Sequence, residues 1–162
     1  MIPATESAIR SSFVNCTKGE AKRLAVPHDL ETRPWDDLDF LGWQDPAATQ
    51  RAYLVAESDA GLVGVALRVA PQQTGRVRRS MCSLCLTTHT GDGVSLMTAR
   101  KAGPEGRQGN SVGIYLCTDL ACSLYLRGKK TAGWRIQETL TLPEKIERTR
   151  TTMAAFLAKV AE

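Results

Sequence analysis

The spacing of apolar residues separates two helical ends from a β-rich middle. Over residues 5–15, Ile9, Phe13 and Val14 form a stripe at helical spacing. Thr17-Lys18-Gly19-Glu20 carries a capping-box signature, with Thr17 as N-cap and Glu20 three residues on. A short second helix is therefore expected over 21–25, ending before Pro27. Residues 34–43 mix acids with large apolar groups. They predict a loop or single turn whose Trp35, Leu38, Leu41 and Trp43 enter the core while the acids face water. The β-rich runs 53–57 and 62–69 flank Ser58-Asp59-Ala60-Gly61 and read as a hairpin. Runs 94–100 and 111–116 predict two further strands, with 101–110 between them a loop. Thr141 and Glu144 form a second capping box. Beyond them Leu142, Ile146, Met153, Phe156, Leu157 and Val160 mark one face of a long terminal helix.

The 162 residues correspond to about one domain. With 43% hydrophobic and 23% charged residues, the chain can bury a core and lacks the signature of disorder. No apolar run is long enough to span a membrane, and the start Met1-Ile2-Pro3-Ala4 does not read as a signal peptide. A cytoplasmic location is the expectation. Five cysteines, an odd number, argue against a disulfide framework in that setting. Cys16 reads as a buried or half-buried thiol. The net charge of +4 lies in the second half, because residues 1–81 carry ten basic and ten acidic side chains.

Cys82-Ser83-Leu84-Cys85 and Cys117-Thr118-Asp119-Leu120-Ala121-Cys122 carry the most specific chemistry. Zinc takes four thiolates at tetrahedral angles, and a two-residue spacer lets one tight turn aim two sulfurs at one point. The four-residue spacer suits a helical first turn, with Cys117 at its entry. The reading is one structural Zn²⁺ held by Cys82, Cys85, Cys117 and Cys122. His89 is left as a neighbour or a substitute ligand. Four thiolates and one Zn²⁺ sum to about −2, which brings the whole protein near +2. A closed four-thiolate site offers no open coordination position and holds a fold rather than activating water.

A knuckle, then a hairpin, then a helix carrying the second pair is the order of a treble-clef finger. The expected fold class is α+β, a small antiparallel sheet with a treble-clef zinc finger and flanking helices. An N-terminal helical segment over 1–30 and a zinc-finger domain over 31–162 would form one compact unit.

The stretches Arg78-Arg79-Ser80-Met81-Cys82-Ser83-Leu84-Cys85 and Tyr115-Leu116-Cys117-Thr118-Asp119-Leu120-Ala121-Cys122-Ser123 resemble the treble-clef domain of the FusB-type elongation factor G-binding proteins. Trp35-Asp36-Asp37-Leu38-Asp39-Phe40-Leu41-Gly42-Trp43 is similar to the actinobacterial branch of that family. The resemblance spans residues 30–160. It implies a zinc-stabilised protein that binds elongation factor G at the ribosome and promotes its release, an act that protects against fusidic acid in the resistance members. Those members carry a further N-terminal helical bundle, whereas about 30 residues precede the resembling region here. The alternative is an RNA- or ribosome-binding zinc-finger protein without specificity for the factor.

The binding candidates are Arg79 before the knuckle, Arg100, Lys101 and Arg107 around the 101–110 loop, and Arg127, Lys129 and Lys130 after the second cysteine pair. Such a basic set suits an acidic protein face or RNA phosphates. Tyr125 and Trp134 are candidate aromatic anchors. Gly128-Lys129-Lys130-Thr131 lacks the upstream glycine of a phosphate loop, and neither His28 nor His89 sits in a nucleophile context. A non-enzyme is expected.

Overall fold

The computed structural model describes residues 1–71, 79–132 and 137–162. Two short helices open the chain, α1 (Glu6–Ser11) and α2 (Lys18–Arg23), and both are capped as their sequences require. The Thr5 hydroxyl accepts from the Ala8 N–H, while Thr17 and Glu20 satisfy each other's backbone donors. Strands β1 (Phe40–Asp45), β2 (Ala48–Ser58) and β3 (Gly61–Val69) follow as a meander. A small pair, β4 (Arg79–Met81) and β5 (Thr88–Thr90), brackets the first cysteine pair. Strand β6 (Val94–Arg100), helix α3 (Gly103–Arg107), strand β7 (Ser111–Cys117), helix α4 (Cys122–Leu126) and the long α5 (Leu142–Ala161) complete the order. The main sheet is antiparallel, in the order β1-β2-β3-β6-β7.

Both sheet faces are used, but unequally. On one face Leu54, Val65, Leu67, Met97 and Leu116 pack with Met153, Phe156, Leu157 and Val160 of α5 and with the cysteine module. On the other, Leu41, Trp43, Tyr53 and Val55 pack with Ile9, Ala21, Leu24 and Val26. Trp43 Nε1 donates to the Ala25 carbonyl at 2.7 Å, and Trp35 Nε1 to that of Leu30 at 2.7 Å, so both indoles satisfy their donor while burying their rings. The N-terminal segment is woven into the sheet itself. Gly64 donates to the Ser12 carbonyl and accepts from the Val14 N–H, both at 2.9 Å, forming a parallel bridge between Phe13 and Gly64. A Cβ on Gly64 would lie 2.5 Å from Ser12 Oγ, so the close approach requires glycine there.

β3 and β6 pair only at Leu67–Val69, and Asn15 enters where they part. Its Nδ2 donates to the carbonyls of Ala66 (2.9 Å) and Arg100 (3.0 Å), and its Oδ1 accepts from the Ala66 N–H (2.8 Å). One side chain thus continues the ladder between two diverging strands.

Four expectations change. The single turn over residues 34–43 is the 3₁₀ turn Trp35–Asp37, but Phe40 to Trp43 belong to β1. Alternation was hidden because Phe40 and Leu41 are both buried, one on each side of a doubly covered strand. Nor do all the acids face water: Asp39 is buried, and its carboxylate takes two contacts from Arg127 (2.6 and 3.0 Å) and one from Arg150 (3.3 Å). The 101–110 segment contains α3, with Pro104 in its first turn. On the long helix, Leu142 is 43% exposed, while Thr149 is fully buried and donates to the carbonyls of Leu84 (3.2 Å) and Lys145 (2.9 Å). The apolar stripe continues through a threonine whose hydroxyl is satisfied.

Candidate metal centre

The knuckle is built by backbone hydrogen bonds before any metal is considered. The Cys82 N–H donates to the Thr87 carbonyl at 3.0 Å, and the Leu86 N–H to the Cys82 carbonyl at 3.1 Å. Leu86 sits at φ 54°, in the left-handed region that reverses the chain after the second cysteine. A second turn does the same for the other pair. The Leu120 N–H donates to the Cys117 carbonyl at 2.8 Å, with Leu120 at φ 56°. Leu86 and Leu120 are the non-glycine residues with positive φ among the described residues, and each adjoins a cysteine pair. Backbone strain of this kind persists where the surroundings over-determine it.

The second pair departs from expectation. Cys117 ends β7 instead of opening the helix, and Cys122 is the first residue of α4. The four intervening residues turn from strand to helix, which lets sulfurs from two different elements meet.

The four thiols are buried, and their sulfurs all lie within 4.8 Å of one another. Cys82 Sγ is 3.6 Å from Cys122 Sγ, and Cys85 Sγ is 3.5 Å from Cys117 Sγ. Four sulfurs about 2.3 Å from one zinc at tetrahedral angles would stand about 3.8 Å apart, so the cage has the size zinc requires. The donor set is all-thiolate and closed to solvent, which selects a soft tetrahedral ion and leaves no position for substrate. Without metal, the neighbouring thiols share their protons unequally. Hydrogen bonds from Cys117, Cys122 and Cys85 pull Cys82 well below the ordinary thiol range, and those from Cys117, Cys82 and Cys85 push Cys122 well above it. Zinc resolves this conflict by replacing the shared protons with one cation.

Several groups support the thiolates. The Leu84 N–H donates to Cys82 Sγ at 3.4 Å. His89, 7% exposed, places Nε2 3.3 Å from Cys117 Sγ and stacks edge-on against Tyr125 at 4.9 Å. It therefore buttresses a ligand from outside the four-sulfur set. The spacing after Cys85 singled His89 out, but only the β4–β5 pairing turned it toward Cys117. Asp39 and Thr149 carried no signal in the sequence. Thr149 holds the Leu84 carbonyl of the knuckle, and Asp39 ties β1 to the helices on either side through Arg127, Arg150 and the Ser123 hydroxyl.

The candidate contact residues fall into two sets. Tyr125 is buried, and its hydroxyl donates to Asp119 at 2.8 Å. Arg127 is held in the ion pair with Asp39. Lys129 pairs with Asp37 at 2.6 Å, and Lys130 with Asp119 at 2.6 Å while lying over the Tyr125 ring. These four residues cluster around α4 with their charges compensated. Arg79, Arg100 and Arg107 are exposed and Lys101 is half-buried. Trp134 lies outside the described residues.

A two-residue knuckle, a β-hairpin and a helix that supplies the last thiolate, closed around one buried four-sulfur cage, define a treble-clef zinc finger. A family model described as FBP C-terminal treble-clef zinc-finger matches residues 8–160, nearly the whole chain. The chain belongs to that family and binds zinc through this centre. The match begins at residue 8 and not near 30, consistent with the 12–15 segment being part of the sheet. No curated protein and no solved structure matches the chain. Among the described residues, no helix is long and apolar enough to cross a membrane.

Proposed function

We propose that this protein is a cytoplasmic binding module for elongation factor G, acting on the factor at the ribosome and promoting its release without catalysing a reaction. The observation that carries the reading is the family match over residues 8–160 on a chain whose zinc centre is closed. The metal stiffens a surface instead of doing chemistry. Lys129 and Lys130, 56% and 46% exposed, follow α4 directly and offer cations to that surface. Their acidic partners are exchangeable for carboxylates of a docking protein, because exposed pairs are worth little. Release follows if the module binds the departing conformation of the factor more tightly than the ribosome-seated one, since only differential affinity shifts such an equilibrium.

The test is co-elution of zinc-loaded protein with purified elongation factor G on a sizing column, alongside a Cys117→Ser variant. A 1:1 complex that fails to form with the variant is expected. If folded, zinc-loaded wild type elutes separately from the factor, the reading is refuted.

A further inference from the structure

The N-terminal helices cover one sheet face over β1, β2 and the start of β3, but the same face continues past them. Register identifies what it carries. Arg51 of β2 is directly opposite Arg68 of β3, which is opposite Thr98 of β6, which is opposite Gly113 of β7. Residues two apart on a strand share a face, so Arg100 and Ser111 lie one pleat to one side of this row. Leu96 and Tyr115 lie one pleat to the other. Arg51, Arg68 and Arg100 are exposed, and Tyr115 is 53% exposed. A groove of about 820 Å³ runs over the arginine end, walled by Arg23 of α2.

This placement is electrostatically unfavourable for the isolated fold. Like charges directly opposite on neighbouring strands repel. No ion pair relieves Arg51, Arg68 or Arg100 among the described residues. Of the groove's two acids, Glu20 caps α2 while its charge is shared between Arg100 and Arg23, and Asp45 accepts from the Tyr53 hydroxyl at 2.9 Å and the Ala47 N–H at 2.9 Å. Four guanidinium groups on a concave surface therefore face two carboxylates already bound to the protein.

We propose that this bare face is a platform for single-stranded RNA, with phosphates held by Arg51, Arg68 and Arg100 and a base stacked on Tyr115. Guanidinium forks match phosphate oxygens, and an exposed ring beside them offers a stacking surface. Three strand spacings separate Arg51 from Gly113, about 14 Å, and Tyr115 lies about 7 Å further along its strand. That area accommodates the two or three bases that an open sheet can stack. Gly113 and Thr98 keep the floor between arginine and tyrosine low. An acidic peptide would use the arginines, whereas single-stranded RNA uses the arginines for its phosphates and the exposed Tyr115 ring for a base. The site is separate from the α4 cluster, and its test does not require elongation factor G.

Binding is read by fluorescence anisotropy with a labelled uridine oligomer of about ten nucleotides, a duplex containing it, and polyglutamate as competitor. Wild type is expected to bind the single strand with a log–log salt slope of about −2, from three phosphates at about −0.7 each. Arg51→Gln/Arg68→Gln/Arg100→Gln should abolish that slope along with most of the affinity. Tyr115→Ala should weaken binding about tenfold or more with the slope unchanged. Lys129→Gln/Lys130→Gln should leave both unchanged. Zinc content and circular dichroism confirm the fold of each variant, all of which alter exposed side chains. Absence of single-strand binding, equal binding of the duplex, indifference to Tyr115→Ala, or equally effective competition by polyglutamate would each overturn the proposal.

Discussion

Asn15 allows the tightest test of how the N-terminal segment is joined to the zinc domain. Replacing it with alanine removes three hydrogen bonds of 2.8–3.0 Å and leaves the Ala66 N–H, the Ala66 carbonyl and the Arg100 carbonyl without their partner. At about 1 kcal/mol each, the three bonds amount to about 3 kcal/mol. The Arg100 end is exposed, so water can replace that bond, and a loss of about 2 kcal/mol is expected. Urea unfolding in a zinc-buffered solution measures it, with tryptophan fluorescence as the probe because Trp35 and Trp43 lie in the core that Asn15 adjoins. Fixing free zinc is necessary, since a released metal would break two-state behaviour. Asn15→Asp adds a sign test. It keeps an acceptor for the Ala66 N–H but turns a carboxylate oxygen toward two carbonyls, so it should be at least as damaging as alanine. If Asn15→Ala costs less than about 0.5 kcal/mol, or aspartate proves the milder change, the bridging argument is wrong.

Four further outcomes follow from the same structure. Asp39→Ala should cost about 3 kcal/mol, because it leaves Arg127, whose side chain is 10% exposed, without its carboxylate; chemical denaturation checks this. Gly42→Ala should cost about 1–3 kcal/mol and lower the thermal midpoint, since its Cβ would stand 2.6 Å from Leu120 Cβ, on the turn between the second pair of zinc ligands. Chelation should raise the number of thiols open to a colorimetric reagent from the half-buried Cys16 alone to all five, with loss of near-ultraviolet dichroism; a chelated protein that keeps four thiols shielded would contradict a metal-dependent fold. Burial, then the hydrogen bond to Asp45, pushes the Tyr53 phenol up from 10.0 to about 12. Its folded value is raised, so its contribution to stability is complete below pH 10 and lost as pH rises through 12. A Tyr53→Phe variant should lose less stability than wild type across that window in pH-dependent melts.

The ends and the metal were legible in the sequence because their signals are local. Thr17 and Thr141 with an acid three residues on mark helix starts through one turn of backbone. Cysteine spacing reports a knuckle for the same reason. What lay beyond the sequence depended on contacts between distant segments. Strand β1 was hidden because a strand covered on both faces has no alternation to read. Asp39 looked like a solvated acid, and its burial rests on Arg127, 88 residues away. The sequence offers the cations after Cys122 as contact candidates, and only the tertiary structure shows that Asp37, Asp39 and Asp119 pair with them. Conversely, the hairpin reading stops at residue 53, and the observed extension of β2 carries its register on to place Arg51 opposite Arg68. Sequence by itself determined which side chains could hold a metal and where helices begin. Tertiary structure decided which charges are neutralised and which remain free, because that depends on strand register and on which face of the sheet the N-terminal helices leave bare.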